Sequence, residues 1–285
     1  MPCSREDIRD FLRNAPDCIL VEVAAAHGST PREAGAWMLV SRDRLFSTIG
    51  GGQLEYLAID HARRALRNGG ATEALTVPLG PEIGQCCGGR VSLVFTHVTA
   101  DLSGSLVART EAELEARPTV YVFGAGHVGD ALALALSLAP VRTILVDSRS
   151  DELAAARAQG IETALTAMPE QLVRDAGAGS AFVVLTHDHA IDFLVAAEAL
   201  ARADAAYVGM IGSKTKRTTF RNWLAREGGE ASQLRRLVCP IGGAALKDKR
   251  PAVIATLAAA EILTAVLAHP AAVASKVASG APSAT

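Results

Sequence analysis

Two adjacent cysteines, Cys86 and Cys87, stand in a short segment that also holds three glycines and ends at Arg90. Neighbouring cysteines seldom bridge each other because the disulfide would be strained. A nearby cation and amide donors favour the thiolate over the thiol, and the glycines leave room for a bulky group to approach the backbone. We therefore predict that at least one of the two thiols, with Gln85 beside them, meets a ligand. The alternative is two small buried residues in a turn.

A predicted strand over residues 120–123 runs directly into the pattern G-x-G-x-x-G. Its glycines, which would form the turn, admit a pyrophosphate and let helix and strand pack, are Gly124, Gly126 and Gly129. His127 begins the next helix, whose N-terminal amides favour a phosphate. Asp147 ends the following predicted strand and would accept hydrogen bonds from a ribose. The pattern predicts a Rossmann-type domain that either binds a nucleotide such as NAD(P) or keeps its glycines for packing alone.

Two histidines, His187 and His189, follow the predicted strand over residues 182–185. Ligand groups gather at the carboxyl ends of parallel strands, and hydride transfer needs a proton donor or acceptor near the reacting carbon. Two ring nitrogens two residues apart with one acid rarely complete a metal site. The histidines are therefore either proton carriers beside a nucleotide or polar residues that begin a helix.

Other loops hold further groups suited to a ligand. These residues are Gly28, Ser29, Arg32, Gly50, Gly51, Gly52, Gln53, Glu55, Ser213, Lys214 and Arg217. Arg32, Lys214 and Arg217 are candidate cations for an anionic group. Glu55 lies in the first turn of a predicted helix, where it either contacts a ligand or only complements the helix dipole. Ser213 is a ligand contact or a helix N-cap.

The composition is that of an ordinary soluble globular protein with room for two domains. The chain has 285 residues, of which 49 % are hydrophobic, and its 28 basic residues nearly balance 30 acidic ones. This balance argues against a general nucleic-acid or anionic-membrane binder. Five cysteines in no framework spacing, and no signal peptide, predict free thiols in the cytoplasm. No uncharged apolar run is long enough to span a membrane.

Hydrophobic periodicity changes in character along the chain. The first part mixes short strands with helices, whereas strands and helices alternate from residue 119, which predicts a parallel sheet. We expect an α/β protein with a small mixed α/β domain over residues 1–100, a linker with a short helix over 101–118 and a Rossmann-like domain over 119–269. Residues 270–285 are rich in Ala, Ser and Pro and are expected to be disordered. The ligand is expected in the cleft between the domains.

Taken together, the loops resemble the xanthine dehydrogenase accessory family, the XdhC/CoxI-like molybdenum cofactor chaperones. The resemblance spans nearly the whole chain and rests on unrelated motifs that occur in order. The first half holds Gly28-Ser29-Thr30-Pro31-Arg32, Ile49-Gly50-Gly51-Gly52-Gln53-Leu54-Glu55 and Gly84-Gln85-Cys86-Cys87-Gly88-Gly89. The second half holds Gly124-Ala125-Gly126-His127-Val128-Gly129, Thr186-His187-Asp188 with Asp192, Tyr207-Val208-Gly209-Met210-Ile211-Gly212-Ser213-Lys214 with Arg217, and Cys239-Pro240-Ile241-Gly242.

The resemblance implies a non-catalytic carrier that binds the sulfurated molybdenum cofactor. Such a carrier hands the cofactor to the large molybdenum-binding subunit of a xanthine dehydrogenase and works with a cysteine desulfurase, in purine catabolism. The cofactor is a pterin with a phosphate tail and a dithiolene that holds molybdenum. A soft thiolate suits a metal–sulfur centre, so Cys86 or Cys87 is the candidate molybdenum contact. The apolar final helix, about residues 251–267, would serve a homodimer.

The resemblance also implies which polar loop residues contact the cofactor. Amides of the glycine loops, with Lys214 or Arg217, would take the phosphate. Gln53 and Glu55 would hydrogen-bond the edge of the pterin. Two other functions stay open: an NAD(P)-dependent oxidoreductase, supported by the glycine pattern and Asp147, and a redox or nucleotide sensor that reports thiol state through the paired cysteines.

Overall fold

The computed structural model describes residues 5–69, 73–81, 88–243 and 246–271. The chain divides into two compact units, a first unit from Cys3 to Glu113 and a second unit from Leu114 to Thr285. One is built on an antiparallel sheet and the other on a parallel sheet, which confirms the predicted α/β class. The tail predicted to be disordered lies outside the described residues beyond position 271.

The first unit is a five-stranded antiparallel sheet with helices on both faces, in the strand order β3-β2-β1-β5-β4. The strands are β1 (Ile19–His27), β2 (Trp37–Val40), β3 (Leu45–Ser47), β4 (Glu73–Pro78) and β5 (Arg90–His97), and the helices are α1 (Arg5–Asn14), α2 (Gly52–Asn68) and α3 (Ala100–Glu115). Side chains along β1 alternate between the two faces. Val21 packs in the cluster that holds α2, whereas Leu20 packs with α1 and α3.

Helix α3 occupies most of the stretch for which the sequence predicts a linker with a short helix. It is sixteen residues long. Leu106 is buried together with Ile8 and Phe11 of α1, so α3 closes one face of the first sheet. The polar, alanine-rich composition concealed this role because a single buried stripe is enough to hold a surface helix on a core.

The second unit is a six-stranded parallel sheet in the order β11-β10-β9-β6-β7-β8. The strands are β6 (Thr119–Phe123), β7 (Arg142–Asp147), β8 (Glu162–Leu165), β9 (Ala181–Val184), β10 (Tyr207–Met210) and β11 (Leu237–Val238). The helices are α4 (His127–Leu136), α5 (Ala154–Ala158), α6 (Pro169–Asp175), α7 (His189–Ala201), α8 (Lys214–Arg226) and α9 (Pro251–Ala268). Counted from β6, this is the doubly wound order 3-2-1-4-5-6, with its switch point between β6 and β9. The predicted Rossmann-like sheet is confirmed.

Two apolar clusters cover the faces of this sheet. Helices α4 and α9 lie in one cluster, and α6, α7 and α8 lie in the other. By length and composition, α9 is the one helix in the described part of the chain that would suit a membrane span. Its Ala258 and Ile262 are buried in the core, and its Glu261 accepts hydrogen bonds from the Tyr207 hydroxyl and the Gly242 amide. These contacts make α9 a packed helix of the second unit.

Candidate functional site

Three glycine-bearing loops of the first unit pack against one another. A Cβ atom on Gly28, just after β1, would lie 3.2 Å from the Cα of Gly89, just before β5. A Cβ on Gly50, just before α2, would lie 2.5 Å from the Cβ of Pro31. Gly28 and Gly50 also have positive φ angles, so glycine is needed there both for space and for backbone conformation. The loops that the sequence analysis singled out separately therefore form one cluster.

A pocket opens within this loop cluster. Its lining residues are His27, Gly28, Pro78, Leu79, Gly80, Gly88, Gly89 and Arg90. The Leu79 amide donates to the Gly89 carbonyl and the Gly88 amide donates to the Leu79 carbonyl, both at 2.8 Å, so the stem of the loop is fixed. The intervening segment, which carries Gln85, Cys86 and Cys87, lies outside the described residues. The pocket is thus bounded by the two ends of the segment that holds the paired cysteines.

Glu55 organises the triple-glycine loop at the start of α2. Its Oε2 accepts hydrogen bonds from the Thr48 hydroxyl, the Ile49 amide at 3.2 Å and the Gly51 amide at 3.1 Å. The Gly50 amide donates to Thr48 Oγ1 at 3.0 Å. The amides of Ile49, Gly50 and Gly51 are therefore engaged within the loop. The predicted contact between Glu55 and a pterin would have to use the other carboxylate oxygen, Oε1.

The first turn of α2 leaves donors for a ligand. Gly51 is the N-cap residue of α2 and has no side chain to accept from the amides of the first turn, so the amides of Gly52 and Gln53 are available to an anion. Ser29 and Arg32 are exposed, and a Cβ on Gly50 would lie 3.1 Å from Arg32 Cγ. A guanidinium group and open helix amides therefore occur in the same loop cluster.

Arg109 of α3 fixes the loop after β1, a role that the sequence analysis missed. Its guanidinium donates to Glu22 at 2.7 Å, to the Gly35 carbonyl at 2.8 Å and to Glu113 at 3.1 Å. Because Gly35 is 74 residues away in sequence, local spacing gives no signal of this contact. Arg109 therefore stabilises the loop cluster from helix α3.

The glycine pattern of the second unit forms the turn between β6 and α4. Gly124 has a φ of 113°, and a Cβ there would lie 2.6 Å from the Leu185 carbonyl oxygen. A Cβ on Gly129 would overlap the Gly124 carbonyl, whereas one on Gly126 would have nothing within 4 Å. His127 is exposed at the first position of α4. Gly124 and Gly129 are therefore needed for packing, and Gly126 faces open space where a ligand can approach.

The carboxylate of Asp147 is saturated by groups of its own chain. Oδ2 accepts from the Ala125 amide at 2.8 Å and from the Arg149 side chain at 2.9 Å. Oδ1 accepts from the amide and Nε of Arg149, both at 3.0 Å. Burial alone would raise the pKa of Asp147, but these hydrogen bonds outweigh it and lower the pKa to about 2. A ribose hydroxyl would therefore have to compete with Arg149 for this acid.

A crevice lies at the carboxyl ends of β6, β7 and β9. It is lined by Phe123, Gly124, Val146, Asp147, Ser148, Thr166, Ala167, Pro169, Thr186, His187 and Ile191. His187 therefore lies where a ligand of this fold would bind. His189 instead begins α7 and packs on Phe193, with ring centroids 6.4 Å apart. Asp188 caps that helix through a 2.7 Å hydrogen bond from the Ala190 amide.

A buried ion pair lies beside the crevice. Asp192 has no solvent exposure and accepts hydrogen bonds from the amide of Thr186 at 3.0 Å and from its hydroxyl at 2.7 Å. The ammonium group of Lys216 is its third partner. Ser213 caps α8 by accepting from the Lys216 amide at 3.3 Å, and Lys214 is exposed. The sequence motifs include Asp192, but they do not predict its pairing with Lys216.

Arg217 and Cys239 meet on the same side of the second unit. Arg217 donates to the carbonyls of Leu234 at 3.2 Å and Cys239 at 3.4 Å. Burial raises the pKa of the Cys239 thiol, and burial followed by Asp17 raises that of Cys18 to about 11. Both thiols are free and buried. Within the described ranges no three His, Cys, Asp or Glu side chains form a metal-binding group.

These features define a two-unit α/β protein with a glycine-loop pocket on an antiparallel unit and a nucleotide-type crevice on a Rossmann unit. Residues 120–262 match the model of the XdhC Rossmann domain, and residues 12–78 match the model of the XdhC and CoxI family. The chain therefore belongs to the XdhC family, as the loop motifs predicted.

One solved structure agrees with this chain at the level of the fold. A Bacillus halodurans protein described as a xanthine dehydrogenase superposes with a TM-score of 0.77 at 15 % identity, over 94 % of this chain and 98 % of that one. The NAD(P)-binding domain of an exopolyphosphatase-related protein from Archaeoglobus fulgidus gives a TM-score of 0.33 at 18 % identity, over 37 % of this chain and 82 % of that one. No curated protein matches the sequence.

Proposed function

We propose that this protein is a maturation factor that binds the sulfurated molybdenum cofactor and delivers it to a xanthine dehydrogenase-type molybdenum hydroxylase. The observation that carries the proposal is the match of both units to XdhC family models. The packing of the three glycine loops around the ends of the paired-cysteine segment supports it further. No catalytic residue is assigned to this function.

The described donors of the loop cluster fit such a cofactor. Its phosphate tail is an anion, for which the pocket residue Arg90, the exposed Arg32 and the open amides at the start of α2 are suitable partners. Cys86 or Cys87 would supply the soft ligand for the metal–sulfur centre. The bound cofactor brings the molybdenum and its sulfido ligand, and the chain's own residues bind and shield it. Gln53 would hold the pterin edge.

Partners follow from the same proposal. The large molybdenum-binding subunit of a xanthine dehydrogenase would receive the cofactor, and a cysteine desulfurase would supply the sulfur. Lys214 and Arg217 are proposed phosphate contacts, although two donors of Arg217 are already given to backbone carbonyls. We further propose that the protein acts in the cytoplasm as a homodimer within purine catabolism.

The test is to express the protein in a host that makes the cofactor and to purify it without oxygen. After oxidation, pterin fluorescence is measured in the wild type and in Cys86→Ala and Cys87→Ala separately. Cys3→Ala, remote in sequence from the glycine loops, is the matched control. We expect bound pterin in the wild type and control and its loss in at least one variant. A wild type without pterin contradicts carriage of the cofactor, and retention in both variants contradicts the role of the thiols.

An NAD(P)-dependent oxidoreductase is the second candidate. It is favoured by the open space at Gly126 and by His187 in the crevice beside Gly124. Titration with NADH and NADPH, followed by nucleotide fluorescence, separates the two functions. Micromolar binding together with oxidation of a small substrate would establish the enzyme, and the absence of binding would leave the glycines a packing role.

A further inference from the structure

A groove on the second unit is lined by three arginines. Its lining residues are Arg217, Thr218, Arg221, Leu234 and Arg235. Arg217 and Arg221 are four residues apart on α8 and therefore point to the same side of the helix. Arg235 ends a short 3-10 helix, Gln233–Arg235. The hydrogen bond from Arg217 to the Leu234 carbonyl, 3.2 Å long, holds this short helix against α8.

Within the described part of the chain, none of the three guanidinium groups lies within ion-pairing distance of a carboxylate. Other arginines of this unit do have such partners: Arg142 pairs with Glu162, Arg174 with Glu198 and Arg202 with Asp204. Helix α8 itself contains no acidic residue, and the positive charge of Lys216 is already balanced by Asp192. The groove therefore concentrates positive charge that the fold does not neutralise.

One of the three guanidinium groups is fixed in position. Arg217 is partly buried, and its two bonds to backbone carbonyls set its position while leaving three of its five N–H donors free. Arg221 and Arg235 are exposed. Leu234 adds an apolar wall. A guanidinium group binds phosphate oxygens through two parallel hydrogen bonds, which makes convergent arginines suited to phosphate.

We propose that this groove binds the diphosphate group of a phosphorylated small molecule. Three guanidinium groups carry three positive charges, and a diphosphate carries about three negative charges at neutral pH. Convergence of the charges in one groove favours such a compact anion over an acidic protein segment, whose carboxylates are spread along the chain. The site lies on α8 and the short helix beside it. It shares only Arg217 with the phosphate contacts proposed for the cofactor, and its test relies on Arg221 and Arg235, which the proposed function does not use.

The test uses the full chain and inorganic pyrophosphate as the probe, titrated by calorimetry at about 50 mM salt to limit screening. Arg221→Gln and Arg235→Gln are measured separately. Arg226→Gln is the matched control because this arginine is on the same helix but does not line the groove. We expect saturable binding that weakens about tenfold or more in each groove variant, as for a lost charge-assisted hydrogen bond. The control should change less than about twofold.

Several results would overturn the proposal. One is the absence of saturable binding up to about 5 mM pyrophosphate, because a site with a Kd of about 1 mM would be largely filled at that concentration. Another is an equal loss in Arg226→Gln, which would indicate unspecific attraction to a basic helix. A third is loss in Arg149→Gln with no loss in the groove variants, which would place the anion in the crevice. Tighter binding of a polyglutamate peptide than of pyrophosphate would assign the groove to an acidic partner instead. Circular dichroism confirms that each variant is folded, and the exposed Arg235 supplies a test that does not disturb α8.

Discussion

The backbone amide of Ala125 donates a 2.8 Å hydrogen bond to Oδ2 of Asp147. This contact joins the glycine turn after β6 to the carboxyl end of β7. The same carboxylate is also held by Arg149, so the acid that the sequence pattern assigns to a ribose serves the fold itself. The stability of the turn is therefore coupled to the ionisation of one side chain.

The charge of Asp147 should stabilise the protein measurably. Its pKa in the folded state is about 2, below the ordinary value of 3.8. The stabilisation is therefore complete above about pH 4 and is lost as the pH falls through about 2. We expect Asp147→Asn to lower the free energy of unfolding by about 2 kcal/mol at neutral pH. The difference in unfolding free energy between the wild type and Asp147→Asn should fall to about half that value at pH 3, measured by urea unfolding.

The control for this experiment is Asp60→Asn, since Asp60 forms only an exposed pair with Arg64. It should cost less than about 0.5 kcal/mol at any pH. A gap between wild type and Asp147→Asn that is the same at pH 7 and pH 3 would show that the carboxylate is not held as described.

Two glycines of the same turn should respond differently to substitution by alanine. Gly129→Ala places a methyl group against the Gly124 carbonyl and should cost about 2 kcal/mol or more in unfolding free energy. Gly126→Ala meets nothing within 4 Å and has a φ of −90°, so its stability should stay within about 0.5 kcal/mol of the wild type. Thermal unfolding gives both values.

Nucleotide titration of the same pair then shows what the turn is for. A folded Gly126→Ala protein that binds NADH as the wild type does would argue against pyrophosphate contact at this position. Strong destabilisation by Gly126→Ala would instead mean that the glycine is needed for packing, contrary to the open space around it.

The ion pair of Asp192 and Lys216 should be costly to break from one side. Lys216→Met leaves a fully buried carboxylate with only the Thr186 hydrogen bonds, and we expect a loss of about 3 kcal/mol or more. Adding Asp192→Asn removes the unpaired charge and should restore part of that loss. Chemical denaturation of both single variants and the double variant gives the coupling energy. Additive losses in the double variant would mean that the two groups do not interact.

Cys18 and Cys239 should react slowly with a thiol reagent in the folded protein. Cys18 and Cys239 are buried, and their raised pKa values keep them protonated at neutral pH. Native alkylation with iodoacetamide at about pH 7.5, read by mass spectrometry, should therefore leave both unmodified. Labelling in denaturant is the control, and there all cysteines should react. Rapid native labelling of Cys18 would contradict its burial between the sheet and α1.

Most of the fold could be predicted from hydrophobic periodicity and local motifs. The glycine turn after residues 120–123, the strand that Asp147 ends and the strand before His187 were predictable because their signals are contiguous. The two-residue strand β11 and the full length of α3 were not, since neither has a distinctive pattern of its own. The pairings of Arg109 with Glu22 and of Lys216 with Asp192 were not predictable for another reason, because the partners lie 87 and 24 residues apart in the sequence.

One carboxylate oxygen of Glu55 accepts hydrogen bonds from Thr48, Ile49 and Gly51. These bonds affect how a ligand would enter and leave the loop. The triple-glycine loop is preorganised, so little backbone entropy is lost when a ligand arrives and little is regained when it departs. Capture and release at this loop then need no folding step. Under the proposed function, the residence time of the cofactor would be governed by its direct contacts and by docking of the recipient.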